Sequence, residues 1–506
     1  MTSEKSDSKK LTLIPLILMI FTSVFGFTNI PRSFYLMGYA AIPWFIVSGI
    51  TFFVPFAFMM AEFGSAFKNE KGGIYSWMEK SVGAKFAFVG TFMWYASYIV
   101  WMVNICSAIW IPLSNGIFGA DTTAKWSVLG LKPTQVLGIL GILWIVTVTY
   151  TSTKGLEQIK KVTSVGGSAV AFLNIFLIIG SLVVLIANKG LAQPIVLAAG
   201  KSGFFNSPNP NYTAPIAVLS FLVYAVFAYG GIEVVGGLVD QTENAEKTFP
   251  KGLIISAVII TIGYSLGIFL VGVFTNWDFL NSKGAHIGNI AYAIMTNLGY
   301  QIGLAFKLSE AAALNVGSWV ARFVGLSMFL SLTGAFFTLS YAPLKQIIEG
   351  TPAKLWPGKM GELKDGMPIN AMWIQCAIVI AFIILLTIGG EGAAKFFELL
   401  VNMTNVAMTV PYLFIVYAFA PFKKKDCIAK PFAIFKSYTS ALIWTIVVLI
   451  TIAFANFFTI IAPAVSGDYK STITMIAGPL FFTIVALVMF NSYERGLSKD
   501  KYKSST

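Results

Sequence analysis

Two stretches of this 506-residue chain place hydrogen-bonding and helix-weakening residues inside otherwise apolar sequence. The first is Thr22-Ser23-Val24-Phe25-Gly26-Phe27-Thr28-Asn29-Ile30-Pro31, and the second is Phe227-Ala228-Tyr229-Gly230-Gly231-Ile232-Glu233 with Gly236-Gly237. Glycine and proline weaken a helix interior, and unwinding frees carbonyls and amides. At membrane depth such groups are tolerated only where they line a cavity or touch a ligand. Half-helix N-termini offer positive dipole ends to a carboxylate, while freed carbonyls accept from an ammonium. A small amino acid or related amine presents that combination of groups.

Glu233 is the leading ionisable candidate, because a charged side chain at membrane depth is expensive and marks a proton carrier, a gate or a substrate contact. A hydrogen bond that holds the broken helix is its structural alternative. Arg322 is a candidate for an external gating pair, with snorkelling to the interface as its alternative. Arg32 is placed near the outer vestibule, and Glu62 is expected to meet loop lysines. Tyr98 and Trp101 lie at i, i+3 on one helical face, where aromatics could cover a bound amine or simply pack. Ser331, Thr333, Thr338, Ser340, Asn402 and Asn405 are secondary polar candidates.

Enzyme chemistry has little to work with. His286 is the only histidine, and Cys106, Cys376 and Cys427 are scattered, so no metal site, disulfide framework or histidine-based triad is indicated. No cofactor is expected, and no GxxxxGK[ST] nucleotide loop occurs.

The elements carrying these residues must be membrane helices. Hydrophobic residues make up 57% and charged residues 11% of the chain, against about 45–50% and about 25% in soluble domains. A soluble enzyme, a nucleic-acid binder and a disordered chain are excluded by that shortage of polar surface. The lipid bilayer is therefore a partner, and nucleic acid is not. Charge-poor runs at about 11–40, 41–66, 86–118, 133–153, 162–188, 214–239, 252–277, 317–344, 369–390, 396–421, 437–462 and 472–492 predict twelve transmembrane helices. The fold class is an all-α polytopic membrane protein. Residues 1–10 and 493–506 read as tails around one transporter domain, 11–492.

Lys and Arg concentrate on the side holding both predicted tails, which the positive-inside rule makes cytoplasmic. The net charge of +13 is then mainly a topology signal. The segment 68–85 reads as an interfacial amphipathic helix, and the long connection 278–317 is expected outside with short helices of its own. The two broken segments fall in the first and sixth spans. These are corresponding positions if 11–188 and 214–421 form a five-plus-five inverted repeat, with 437–492 supplying two extra helices; paired breaks there mark a midplane substrate site.

The motifs FTSVFGFTNIPRSFY (21–35), Glu62, GGIYSW (72–77), FAYGGIE (227–233), ENAEKTFP (243–250), Arg322 and GMP (366–368) resemble the amino acid–polyamine–organocation superfamily, with a similarity to its bacterial glutamate/GABA antiporters. The resemblance implies a LeuT-like fold with alternating access around a central site, and exchange or proton-linked transport of amino acids or their decarboxylated amines. It places carboxylate binding on Thr22, Ser23 and Gly26 and amino-group binding at Phe227, Ala228, Tyr229 and Gly230. Two departures matter: the first-span motif has a single glycine, and the fifth span, 162–188, lacks the lysine that replaces sodium in some relatives. The expected function is secondary active transport of a small amino acid or amine, an antiporter of glutamate/GABA type or a proton-coupled symporter of the same fold, with proton coupling assigned to Glu233.

Overall fold

The computed structural model describes residues 10–197, 200–282 and 289–505; His286 and most of the N-terminal tail lie outside them. Among the described residues there is no β-strand. The first apolar stretch holds α1 (Leu13–Val24), α2 (Asn29–Met37), α3 (Ala41–Ser48) and α4 (Val54–Ala66). Next come α5 (Ile74–Ser81), α6 (Ala84–Ala108), α7 (Trp110–Phe118), α8 (Pro133–Ser152), α9 (Leu156–Asn188), α10 (Pro215–Phe227) and α11 (Ala245–Phe274). The chain finishes with α12 (Trp277–Ser282), α13 (Ile290–Ala305), α14 (Glu310–Gly350), α15 (Ile369–Ile388), α16 (Gly390–Ala407), α17 (Val410–Lys424), α18 (Tyr438–Val465) and α19 (Tyr469–Ser505).

Eleven helical stretches of the described residues are long and apolar enough to cross a bilayer, and the first, Leu13–Ala66, is 54 residues long. At about 1.5 Å per residue it would span the hydrocarbon core more than twice if straight. It is a hairpin instead. Leu13 and Leu16 at its start pack on Gly252, and Gly64 at its end packs on Phe249, so both ends lie beside one end of α11, while Tyr39 between them packs on Gly272 at the other. The turn uses Gly38 at φ +60°, a conformation open to glycine at little cost. With that stretch counted twice, the eleven become the twelve crossings expected.

Four local features differ from the sequence reading. Span 8 is α14, a helix of 41 residues that runs well past the charge-poor core. It continues because Lys345 is neutralised: its ammonium lies 2.9 Å from Asp240 Oδ1 and 3.4 Å from Glu349 Oε2. The tenth span is two helices, α16 and α17, with the helical bond pattern interrupted around Met408 and Thr409 just before Pro411. The second span contains one π-helical turn, Gly49–Phe53. Finally, α5 is not an interfacial helix facing lipid. Ile74, Trp77 and Met78 are buried in protein, with Trp77 stacked on Phe63 at 5.6 Å.

The end of the bundle that carries α5 is tied shut by side chains of α14. Gln346 Oε1 accepts from the Ile74 amide at 2.9 Å, and its Nε2 donates to the Val234 carbonyl at 2.9 Å. Lys345 also donates to the Lys71 carbonyl at 3.2 Å. Glu62 meets a lysine, but one in the last turn of α17 instead of a loop: it pairs with Lys423 at 2.8 Å and accepts from the Ile434 and Phe435 amides at 2.7 Å, fastening the connection after α17 to α4.

Candidate functional site

Both predicted breaks exist, and they touch. α1 stops at Val24 and the chain resumes as α2 at Asn29, while α10 stops at Phe227 and a 3-10 helix, Ile232–Leu238, follows four residues later. Gly231 sits at φ +117°, and a Cβ there would lie 2.5 Å from the Ser23 carbonyl oxygen. Only a residue without a side chain lets the two interrupted backbones approach this closely.

Tyr264 of α11 joins the breaks through one hydroxyl. It accepts from the Gly26 amide at 3.0 Å and from Asn29 Nδ2 at 3.2 Å, and it lies within donating distance of the carbonyls of Val24 at 2.9 Å and Ala228 at 3.1 Å. Tyr224 adds a bond from its hydroxyl to Asn29 Oδ1 at 3.1 Å. The unwound backbone is thus satisfied largely within the protein, as a low-dielectric setting requires.

Glu233 is 2% exposed and lies beneath this junction. Its Oε1 accepts from Trp94 Nε1 at 3.1 Å and from the Tyr98 hydroxyl at 3.4 Å, both on α6, and its Oε2 accepts from the Gly231 amide at 3.1 Å. The Gly231 amide also reaches the Tyr412 hydroxyl at 3.0 Å, on α17 just past the third break. Above this floor opens a cavity of about 860 Å³ that extends to exposed Ser466 and Asp468 between α18 and α19.

The sequence model of the amino acid permease family matches residues 11–489. The chain belongs to the amino acid permease family. This family lies within the amino acid–polyamine–organocation superfamily and consists of membrane transporters, not enzymes. Among similar proteins, the inner membrane transporter YjeM of Salmonella typhimurium is 52% identical over 496 residues, covering 97% of this chain and 98% of its own. The aspartate/glutamate permease AcaP of Lactococcus lactis subsp. cremoris is 25% identical over 82% of this chain and 80% of its own. A glutamate/gamma-aminobutyrate antiporter of Lactococcus lactis subsp. lactis is 22% identical over 93% and 90%.

In this permease, Ser23, Tyr98, Trp101, Phe227 and Gly230 line the cavity. Thr22 does not: its hydroxyl bonds the Met19 carbonyl at 2.8 Å, and its methyl faces Gly334 of α14. The Gly26 amide and the Ala228 carbonyl are engaged by Tyr264. Tyr229 points away, stacked on Phe53 at 4.7 Å with its hydroxyl on the Phe45 carbonyl. Arg322 lies apart from the cavity, where it donates to the carbonyls of Ile117 at 2.8 Å and Phe118 at 3.4 Å and so closes the C-terminus of α7. Thr333, Thr338 and Ser340 bond carbonyls of their own helix. Asn405 lines the cavity, whereas Asn402 meets Ser471 at 3.4 Å.

Tyr264 and Tyr412 are residues of the site that no sequence signal of their own singles out, whereas Trp94 belongs to the aromatic set of the third span. Pro411 next to Tyr412 was the one local hint of a third break; Tyr264 lies in an unremarkable apolar run. Tyr264→Phe removes one hydroxyl shared by two breaks, at about 1–3 kcal/mol for the buried groups left unpaired. A lower thermal midpoint and at least a severalfold slower transport rate are expected, measured on the purified variant in detergent and in liposomes.

Proposed function

We propose that this permease is an alternating-access exchanger that moves a small amino acid or its decarboxylated amine across the bacterial inner membrane, with both termini cytoplasmic. The observation that carries this reading is the convergence of two broken helices on the floor of one cavity, with a buried carboxylate behind that floor, since discontinuous spans at the same depth are what a transporter needs to bind and release a polar solute. The names of the aspartate/glutamate permease and the glutamate/gamma-aminobutyrate antiporter support substrates of this size. The 11–188 and 214–421 segments act as the two repeats. The cavity reaches the end opposite Lys345, which the distribution of Lys and Arg assigns to the outside, so the described arrangement corresponds to an outward-facing state.

A second reading, proton-coupled symport, is favoured by Glu233, because a buried carboxylate held by neutral donors is ready to exchange a proton. Proteoliposome uptake separates the two. Vesicles preloaded with unlabelled compound accumulate label if the protein exchanges, and empty vesicles accumulate it under a pH gradient alone if it is a symporter. No saturable uptake of any amino acid or amine in either case contradicts both.

A further inference from the structure

We infer that the cavity selects organic amines of net positive charge over acidic amino acids. This inference rests on the transporter reading above and adds the charge class of the solute. Among the described lining residues there is no lysine or arginine, and the one charged side chain is Asp468 at the exposed rim; Glu233 does not line the cavity itself but lies directly behind its floor, bonded to the lining residues Tyr98 and Gly231. Two hydrogen bonds from Ser471, one from its hydroxyl at 2.6 Å and one from its amide at 3.0 Å, hold the Asp468 carboxyl below its usual range and so keep it ionised. Arg32 is near enough to Tyr224 for its charge to act there, but it does not line the cavity.

Glu233 has no cation within ion-pair distance among the described residues; the groups facing it are the neutral Trp94, Tyr98, Tyr412 and the Gly231 amide. A buried carboxylate of this kind needs either a proton or a visiting cation to complete its neutralisation. Four aromatic residues, Tyr98, Trp101, Phe227 and Tyr412, line the cavity, and aromatic quadrupoles attract an ammonium. A substrate carboxylate finds the opposite. The amides of both break glycines, Gly26 and Gly231, are already donated to Tyr264 and to Glu233 with Tyr412. An acidic amino acid would therefore bring surplus negative charge to a negative rim and to a floor backed by a buried carboxyl group, with no side-chain cation lining the cavity to receive it.

The test is ligand-dependent thermal stabilisation of the purified full-length protein, because only a ligand that binds the folded state raises the midpoint. Agmatine, putrescine and lysine are titrated beside gamma-aminobutyrate, glutamate and aspartate. The cationic compounds are expected to stabilise at concentrations at least about tenfold lower than the acidic ones, a difference of about 1.4 kcal/mol in binding. Glutamate or aspartate binding as well as or better than every cation overturns the charge class and leaves the transporter reading standing. Failure of all compounds of every charge to bind overturns both.

Discussion

Glu233→Gln is expected to cut exchange at least about tenfold and to flatten its pH profile while the protein still folds. The glutamine keeps the size of the side chain and one acceptor oxygen, so packing beneath the junction survives. It removes the charge and sets an NH2 group against the N–H donors of Trp94 or Gly231, which now serve the carboxylate. Hydrogen bonds to a charged group contribute about 1.5–3 kcal/mol, which is roughly ten- to hundredfold in a binding constant. The groups facing Glu233 are the titratable but neutral Tyr98 and Tyr412 and the non-titrating Trp94; none of them is charged. Protonation of the carboxylate in the wild type withdraws the negative charge that holds an ammonium, so cation binding weakens as pH falls. The variant has no charge to lose. Initial counterflow rates for both proteins across about pH 5 to 8 check this, and an identical pH profile in the two proteins would leave Glu233 with a purely structural role.

Gly231→Ala has the other large effect. At φ +117° a side chain costs about 1–3 kcal/mol in backbone strain, and the new methyl would lie 2.5 Å from a main-chain oxygen, Ser23 O, which has no flexible end to move aside. The first and sixth spans must separate locally, which breaks the floor of the cavity. Transport is expected to fall below detection, with a lower thermal midpoint in the protein that is recovered. Gly496→Ala provides the comparison: nothing lies within 4 Å of the added Cβ, and alanine in an exposed helix stabilises by about 0.5–1 kcal/mol relative to glycine. Equal transport by the two variants would show that the spans do not need their close approach at Gly231.

The legibility of the site follows from how local each signal is. Gly26, Pro31 and the Gly230-Gly231 pair disturb helix formation through their own backbones, so both breaks could be read directly and paired by position. Tyr264 acts at a distance of 238 residues from Gly26, and no feature of its own apolar neighbourhood reveals that its hydroxyl serves two breaks. The same holds for Tyr412, which reaches Gly231 across 181 residues. Lys345 hides the full length of span 8 for a related reason. Charge normally ends an apolar run, but here Asp240, just past the sixth span, neutralises the lysine, and the helix continues. Trp77 and Ile74 gave α5 an amphipathic pattern that fits a membrane surface as well as a protein groove, and Phe63 on a different span supplies the groove. The Thr22 and Ser23 hydroxyls illustrate a further limit: both bond the Met19 carbonyl, and only their position on the helix determines that Ser23 faces the cavity while Thr22 faces α14.

The central claim is that the cavity above the paired breaks holds the transported solute, and substrate protection of a single cysteine there tests it most directly. Cys106 and Cys376 are buried and Cys427 is exposed, so Cys427→Ser removes the reactive background before Asn405→Cys places a thiol on the cavity wall. The compound identified by counterflow is predicted to slow labelling of that thiol by a membrane-impermeant reagent, with half-protection at the concentration that half-saturates transport. Labelling at an unchanged rate under saturating substrate, in a variant that still transports, would contradict the placement of the site.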